Sequence, residues 1–245
     1  VIRAPLWLFI SALLARALGP EGLGTWSMVL AAGMLVNQLL LHWTQSITQR
    51  FGRVEWLEFG SVESTLLARA PLVLLGFVLA LLLLFVLPFD WLQRFFGIQD
   101  GALSVLVSVL AFWLMAEAQG LQQVRERFVS LAWAPVGVDL IVMGAIAIVV
   151  FVPALVQASL DTRLKFLLCA MMLGWALCFA WEMRPVAVQY RPRGLDWSRL
   201  PGFVKFAIPL VPGFLVAYLA EWCDYFLIRH FYGEYEVGLF HPAYQ

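Results

Sequence analysis

The chain has 245 residues, of which 62% are hydrophobic and only 13% are charged, and its formal net charge is zero. This composition excludes an ordinary soluble domain of the same length. The balance of charges leaves no basic excess, so we expect no nucleic-acid partner. Residues 22–49 contain no Asp, Glu, Lys or Arg, and further uncharged stretches follow. Because a helix needs ~20 mostly apolar residues to cross a bilayer, the sequence predicts an all-α polytopic membrane protein.

About seven transmembrane helices are predicted, and an eighth helix begins near Val237. In chain order, the predicted spans are residues 2–18, 23–43, 70–89, 101–124, 128–152, 166–181 and 203–231. The tight turn "GPEGLG" joins the first two spans. The first residue is Val rather than Met, and the last residues fall within the eighth helix, so we expect a fragment of a longer protein.

The spans group into two sets separated by a charged break. Residues 1–184 are predicted to form an N-terminal lobe of six helices, residues 185–202 a linker rich in Pro and Arg, and residues 203–245 the start of a C-terminal lobe. With a cytoplasmic N-terminus, eleven basic residues lie inside and five lie outside. The five outer residues are Arg16, Arg94, Arg163, Lys165 and Arg229. Basic residues near helix ends resist translocation, so we expect the N-terminus and the linker in the cytoplasm.

Polar side chains concentrate in the second half of the second span. Gln38, His42, Gln45 and Gln49 fall on one stripe of a helix, here called the polar stripe, and Asn37 flanks it. Polar groups at membrane depth face the interior of the bundle or a wet cavity. The stripe is therefore interpreted as the wall of a hydrophilic cavity open toward the cytoplasm. The alternative is that it holds helices together through hydrogen bonds.

Two acidic residues lie within other spans. Asp139 is near the middle of the fifth span, where a carboxyl group is protonated, paired with a cation or in contact with water. It is a candidate for coupling transport to protons or cations, or else a structural carboxyl bonded to a neighbouring helix. Glu117 is a second candidate, although its position nearer the cytoplasmic end favours a wet, structural role.

The seventh span combines two early prolines with later polar residues. Pro209 and Pro212 remove backbone donors, so the helix is expected to be kinked. The polar residues fall further along, with Tyr218, Glu221 and Tyr225 on one face as candidate cavity lining and Asp224 as a candidate for ion coupling. A bent helix lined with acids is typical of a moving part in a transporter. Asp224 and Arg229 could equally anchor the helix at the interface.

No catalytic or metal-binding pattern is recognisable. The three histidines have no neighbouring Ser or Cys nucleophile, and the three cysteines are isolated within apolar helices. There is no Gly-rich phosphate loop. We therefore expect neither an enzyme nor a bound cofactor or metal, and any transport must be driven by a gradient or by a partner.

Two segments resemble one family. The segment from Arg16 to Gly24, followed by Arg50 to Gly52, is similar to the first two helices of bacterial polysaccharide biosynthesis proteins, the oligosaccharide-lipid flippases. A Phe-x-x-Pro-Leu entry at residues 206–210, the acidic Asp224, and the Gly-rich exit from Gly233 to Tyr244 resemble that family's seventh helix. The resemblance covers the whole chain in spacing and is sharp only at these two ends.

The resemblance implies a transporter of two six-helix lobes around a central cavity, located in the bacterial inner membrane. It would move undecaprenyl-pyrophosphate-linked repeat units for O-antigen, capsule or exopolysaccharide synthesis by alternating access. Its partners would be the lipid-linked oligosaccharide, membrane lipids, a polysaccharide polymerase and glycosyltransferases. Family members contact the anionic head group through cavity Arg or Lys residues. Here no cation lies mid-helix, which leaves Arg16 and Arg229 as candidate anion contacts.

Two alternatives remain open at this stage. A drug or metabolite exporter of the same superfamily would share the bundle but would have a smaller, more acidic cavity for small cations. A membrane glycan ligase or polymerase would require a large outer loop with Arg and His. The short outer loops argue against this second alternative.

Overall fold

The computed structural model describes residues 3–85, 101–189 and 197–244. This part of the chain is 94% helical and has no strand, which confirms an all-α membrane fold. The α-helices are α1 (Arg3–Asn37), α2 (Trp43–Ile47), α3 (Arg53–Phe59), α4 (Glu63–Phe85), α5 (Ala102–Val124), α6 (Phe128–Phe151), α7 (Pro153–Val156), α8 (Leu160–Gln189), α9 (Leu200–Ala207), α10 (Val211–Tyr232) and α11 (Glu234–Tyr244).

Six segments of the described chain are long and apolar enough to cross a membrane. They are Pro5–Phe59, Glu63–Phe85, Ala102–Val124, Phe128–Phe151, Leu160–Arg184 and Trp197–Tyr232. The first has 55 residues, more than twice the ~20 that a span needs. It contains both the first and the second predicted span.

A break at Gly19 divides this long segment into two arms. Gly19 has φ 74° and ψ 170°, a conformation that is essentially restricted to glycine. Pro20 follows at once, and its fixed φ suits the first residue of the next helix. Trp7 and Ile10 of the first arm line the same cavity as Trp26 of the second, so the arms lie beside each other. The predicted turn between the first two spans is therefore present.

The second arm continues from Pro20 to Phe59 and contains two turns of π-helix. These are Gln38–His42 and Thr48–Gly52, both within the region of the polar stripe. At ~1.5 Å per residue the arm is about 60 Å long, roughly twice the hydrocarbon thickness. It therefore extends well beyond the membrane core. Turns of π-helix are rare and are frequently found at functional sites.

The prolines of the seventh predicted span interrupt the helix as expected. A 3-10 turn, Ile208–Leu210, separates α9 from α10, so the predicted kink is confirmed. The predicted linker is shorter than expected, because residues 185–189 belong to α8 and residues 197–202 are also helical. The remaining linker residues, 190–196, lie outside the described residues.

The basic residues sort to the two ends of the bundle as the topology requires. At one end, the Gly19 end, Arg163 donates to the carbonyl of Ala17 at 2.6 Å. At the other, the Arg125 end, Arg53 pairs with Glu126. Four of the predicted outer cations belong to the Gly19 end, and Arg94 lies outside the described residues. Among the basic residues that the structure describes, Arg69 departs from this sorting because it lies inside the bundle.

Candidate functional site

A cavity of about 530 Å³ lies in the middle of the helical bundle. Its walls come from both arms of the first segment and from α5, α6, α8 and α10. Its most distinctive lining residues are four tryptophans and two acids, namely Trp7, Trp26, Trp175, Trp222, Asp139 and Glu221. None of the lining residues in the described part of the chain is basic. This central cavity is therefore aromatic and acidic.

Asp139, a predicted site residue, lies in the wall of the central cavity. It lies halfway along α6, is 5% exposed and lines the central cavity. Glu221, from the seventh predicted span, lines the same cavity from α10. The two carboxyl groups that sequence reasoning assigned to different roles thus face one space.

The two tyrosines predicted beside Glu221 do not line this cavity. The hydroxyl of Tyr218 donates to the carbonyl of Ala31 at 3.0 Å, which ties α10 to the second arm. The ring of Tyr225 packs 5.1 Å from that of Trp222. Both tyrosines are buried, so their place in the structure is helix packing rather than cavity lining.

The polar stripe is largely buried rather than solvated. Asn37, Gln38 and Gln45 are buried, and they line neither the central cavity nor the cavity at the Arg125 end described below. Within the described chain, Asn37 Oδ1, Gln38 Oε1 and Gln45 Nε2 have no hydrogen-bond partner. The conformation described therefore does not show the open hydrophilic wall that we expected. That the polar stripe lines a hydrophilic cavity in another conformation stays a prediction.

The other two residues of the polar stripe contact neighbouring helices. The ring of His42 packs edge-on against Phe214, with centroids 4.6 Å apart. Gln49 is exposed and its Nε2 donates to Gln123 Oε1 at 3.0 Å. These contacts fit the alternative interpretation, in which the stripe joins helices.

A buried ion pair, which sequence reasoning missed, lies beside the stripe. Arg69 Nη2 is 2.5 Å from Glu117 Oε2, and the two side chains are 5% and 2% exposed. Arg69 Nη1 also donates to the carbonyl of Thr44 at 3.1 Å. The expectation that Glu117 is wet is therefore wrong, and a cation does lie inside the bundle. The cause is that α4 begins at Glu63, so Arg69 is inside the helix rather than at its boundary.

A second buried cluster closes the Arg125 end. The carboxylate of Glu182, in α8, is fully buried and lies 2.9 Å from Arg127 Nη1. Arg125 Nη1 donates to the backbone carbonyl of Glu182 at 2.6 Å. Burial lowers the pKa of the Arg125 guanidinium, and the charge of Glu182 opposes this change. The cluster joins the adjacent ends of α5 and α6 to α8.

The Arg125 end also contains a cavity of about 680 Å³. Arg50 and Arg199 line it together with Glu55 and Glu58. Glu55 is already held by the backbone amides of Ser64 and Thr65, each at 2.8 Å. Arg50 and Arg199 are the basic groups among the described residues that line this cavity.

The remaining predicted residues lie toward the Gly19 end. Arg16 and Asp224 are exposed, and Arg229 Nη2 lies 3.6 Å from Glu234 Oε1. None of the three lines the central cavity. The assignment of Arg16 and Arg229 as anion contacts stays a prediction.

At the Gly19 end, a close backbone approach joins the two segments that carry the family resemblance. Gly233 has φ 94° and ψ −179°, nearly the conformation of Gly19. A β-carbon at Gly24 would collide with the carbonyl oxygen of Glu234. A β-carbon at Gly238 would collide with the carbonyl oxygen of Pro20.

This contact, here called the glycine crossing, is reciprocal. Pro20, which follows the turn at Gly19, places its carbonyl against Gly238, five residues after Gly233. Glu234, which follows the turn at Gly233, places its carbonyl against Gly24, five residues after Gly19. The sequence contains the pattern twice, as Gly19-x-x-x-x-Gly24 and Gly233-x-x-x-x-Gly238. The described structure thus brings Pro20–Gly24 of the second arm against Glu234–Gly238 of α11 through backbone contacts in both directions.

Comparison with protein-family models, curated proteins and solved structures finds no match to this chain. Within the described residues, no group of three or more His, Cys, Asp or Glu side chains could hold a metal ion.

Proposed function

We propose that the protein is a flippase that moves undecaprenyl-pyrophosphate-linked oligosaccharide repeat units across the bacterial cytoplasmic membrane by alternating access. Surface polysaccharide would be assembled from the translocated units. In this proposal the N-terminus and the Arg125 end are cytoplasmic, and the Gly19 end faces outward. The basic residues support this orientation, because eleven of them fall on the proposed inner side.

The glycine crossing is the observation that carries the proposal. Transporters are commonly built from repeats that rock against each other around a site at their interface. In this proposal the central cavity has this position, because Trp7 and Trp26, which line it, would belong to one repeat and Glu221 and Trp222 to the other. Glycines allow the two helix backbones to come into direct contact and close the space between them. In this proposal the two helices separate as rigid units when the transporter opens outward.

The charged groups suit a substrate with an anionic head and an uncharged sugar. Arg50 and Arg199 line the cavity at the proposed cytoplasmic end, where a pyrophosphate would arrive. Asp139, buried in the membrane interior, is the candidate for coupling transport to a proton or cation gradient.

Deletion of the gene in its source bacterium tests the proposal. Surface polysaccharide should disappear, and undecaprenyl-pyrophosphate-linked repeat units should accumulate on the cytoplasmic leaflet, as measured by mass spectrometry of extracted lipids. Expression of the full-length protein should reverse both effects. Normal polysaccharide with no accumulation of these lipids would contradict the proposal.

The central cavity also favours a second candidate, an exporter of small organic cations. Indole rings and carboxylates attract cations, and a volume of about 530 Å³ suits a drug-sized ligand. In this case the deletion strain should become sensitive to lipophilic cations while its polysaccharide remains normal. The same experiment therefore separates the two functions.

A further inference from the structure

We propose that the central cavity is a binding site for a sugar ring, in which indole faces stack on the ring and Asp139, Glu221 and two indole N–H groups bind its hydroxyls. This inference rests on the proposed translocation of a lipid-linked oligosaccharide. It adds which part of that substrate the cavity holds.

The size of the cavity limits what can enter it. About 530 Å³ is within the ~300–1,000 Å³ typical of small-molecule sites. A sugar or a short oligosaccharide fits such a space, whereas a whole repeat unit with its polyprenyl chain does not. The lipid would therefore remain among the helices or in the bilayer while the sugar enters.

The aromatic lining provides surfaces for the apolar face of a sugar. A pyranose presents several C–H groups on one face, and these pack well on the large flat surface of an indole. Trp7, Trp26, Trp175 and Trp222 come from four different helical segments. Walls on several sides suit a flat ring better than a spherical ion.

The unpaired indole donors distinguish a sugar from an organic cation. Trp26 and Trp222 are 1% and 7% exposed. The Nε1 atom of each is buried without a hydrogen-bond partner in the described chain. An indole N–H can only donate, so it requires an acceptor. A quaternary ammonium ion offers no acceptor, whereas a hydroxyl group both donates and accepts.

The carboxyl groups of the cavity can accept the hydrogen bonds that sugar hydroxyls donate. Asp139 and Glu221 line the cavity on helices α6 and α10, and an ionised carboxylate accepts hydrogen bonds at two oxygens. A cavity that combines donors, acceptors and stacking surfaces matches a polyhydroxylated ring.

Saturation-transfer difference NMR on the full-length protein in nanodiscs tests the inference. The probes are methyl glycosides of glucose, galactose, rhamnose and N-acetylglucosamine, with tetraphenylphosphonium as the cationic comparison. At least one glycoside should receive saturation, strongest at the C–H groups of one ring face. Trp222→Phe and Trp26→Phe should each weaken its apparent affinity about five-fold, as expected for one lost hydrogen bond.

Trp113→Phe is the matched control, because Trp113 Nε1 is also buried and unpaired but lies outside the cavity. It should leave glycoside binding unchanged. Glu221→Gln, at an exposed side chain, provides a second test that does not disturb packing, and it should also weaken binding.

Saturation of tetraphenylphosphonium alone, or glycoside binding that no cavity variant alters, would overturn the inference. Translocation of lipid-linked oligosaccharide without glycoside binding would refute the sugar site and leave the proposed function standing. Glycoside binding without translocation would support the sugar site and refute the proposed function.

Discussion

Replacement of Gly24 or Gly238 by alanine should force the second arm and α11 apart at the Gly19 end. The new β-carbon would meet a backbone carbonyl, that of Glu234 or that of Pro20. A backbone atom cannot turn aside as a flexible side chain can. Overpacking of this kind costs ~1–3 kcal/mol. If the contact exists only in the outward-closed state, that cost should shift the balance toward the outward-open state by about 5- to 150-fold.

A cysteine in the central cavity reports the shift. Leu14 lines the cavity and is fully buried, so Leu14→Cys in a background lacking Cys169, Cys178 and Cys223 should resist an impermeant thiol reagent in intact cells. Added Gly24→Ala should make position 14 react many times faster.

Gly137→Ala is the matched control for this experiment. Gly137 lies within a helix, and a β-carbon there meets nothing within 4 Å. The substitution should therefore leave labelling unchanged and stabilise the helix slightly. If Gly24→Ala labels at the rate of Gly137→Ala and is equally stable to heat, the crossing is not a tight contact and our reasoning fails.

Three further predictions concern the buried polar groups. Glu117→Leu should lower the free energy of unfolding of the purified protein by ~3–5 kcal/mol because it leaves the charge of Arg69 buried without its partner. Added Arg69→Met should recover most of this loss in thermal unfolding. Equal stability of the single and the double variant would argue against the ion pair. Asp139→Asn should leave the protein folded and inserted while export falls and loses its dependence on the proton gradient; unchanged pH dependence at matched protein level would exclude coupling through Asp139. Cysteines at Gln38 and Gln45 should react with a small polar thiol reagent more slowly than one at exposed Gln49, and equal rates at all three would show an open cavity wall instead.

Features that follow from local rules were predictable from the sequence. The bilayer requires long uncharged helices, so the position of each span could be predicted, although several helices extend six or more residues beyond the predicted boundaries. The Gly19 turn and the interruption at Pro209 follow from the properties of glycine and proline. The burial of Asp139 halfway along its helix follows from its position between uncharged stretches.

Features that depend on helix packing were not predictable. Arg69 and Glu117 are 48 residues apart, and nothing local in the sequence pairs them. The helical start at Glu63 also moved Arg69 from the expected boundary into the bundle.

The polar stripe was recognised as facing the interior, but the sequence could not distinguish a wet wall from a packed one. That distinction depends on which residues of other helices lie opposite, as Phe214 does for His42. The glycine crossing joins segments more than 200 residues apart, and only a comparison of the two Gly-x-x-x-x-Gly patterns could have suggested it.

Reconstitution of the purified full-length protein into liposomes tests the proposed function most directly. Fluorescent undecaprenyl-pyrophosphate-linked oligosaccharide is loaded into both leaflets, and the fraction that an external glycosidase can cleave is followed with time. Our account predicts that nearly all of the lipid becomes accessible in proteoliposomes, while about half remains protected in empty liposomes, and that Asp139→Asn slows the process. Protection equal to that of empty liposomes, with protein that is folded and inserted, would contradict the account.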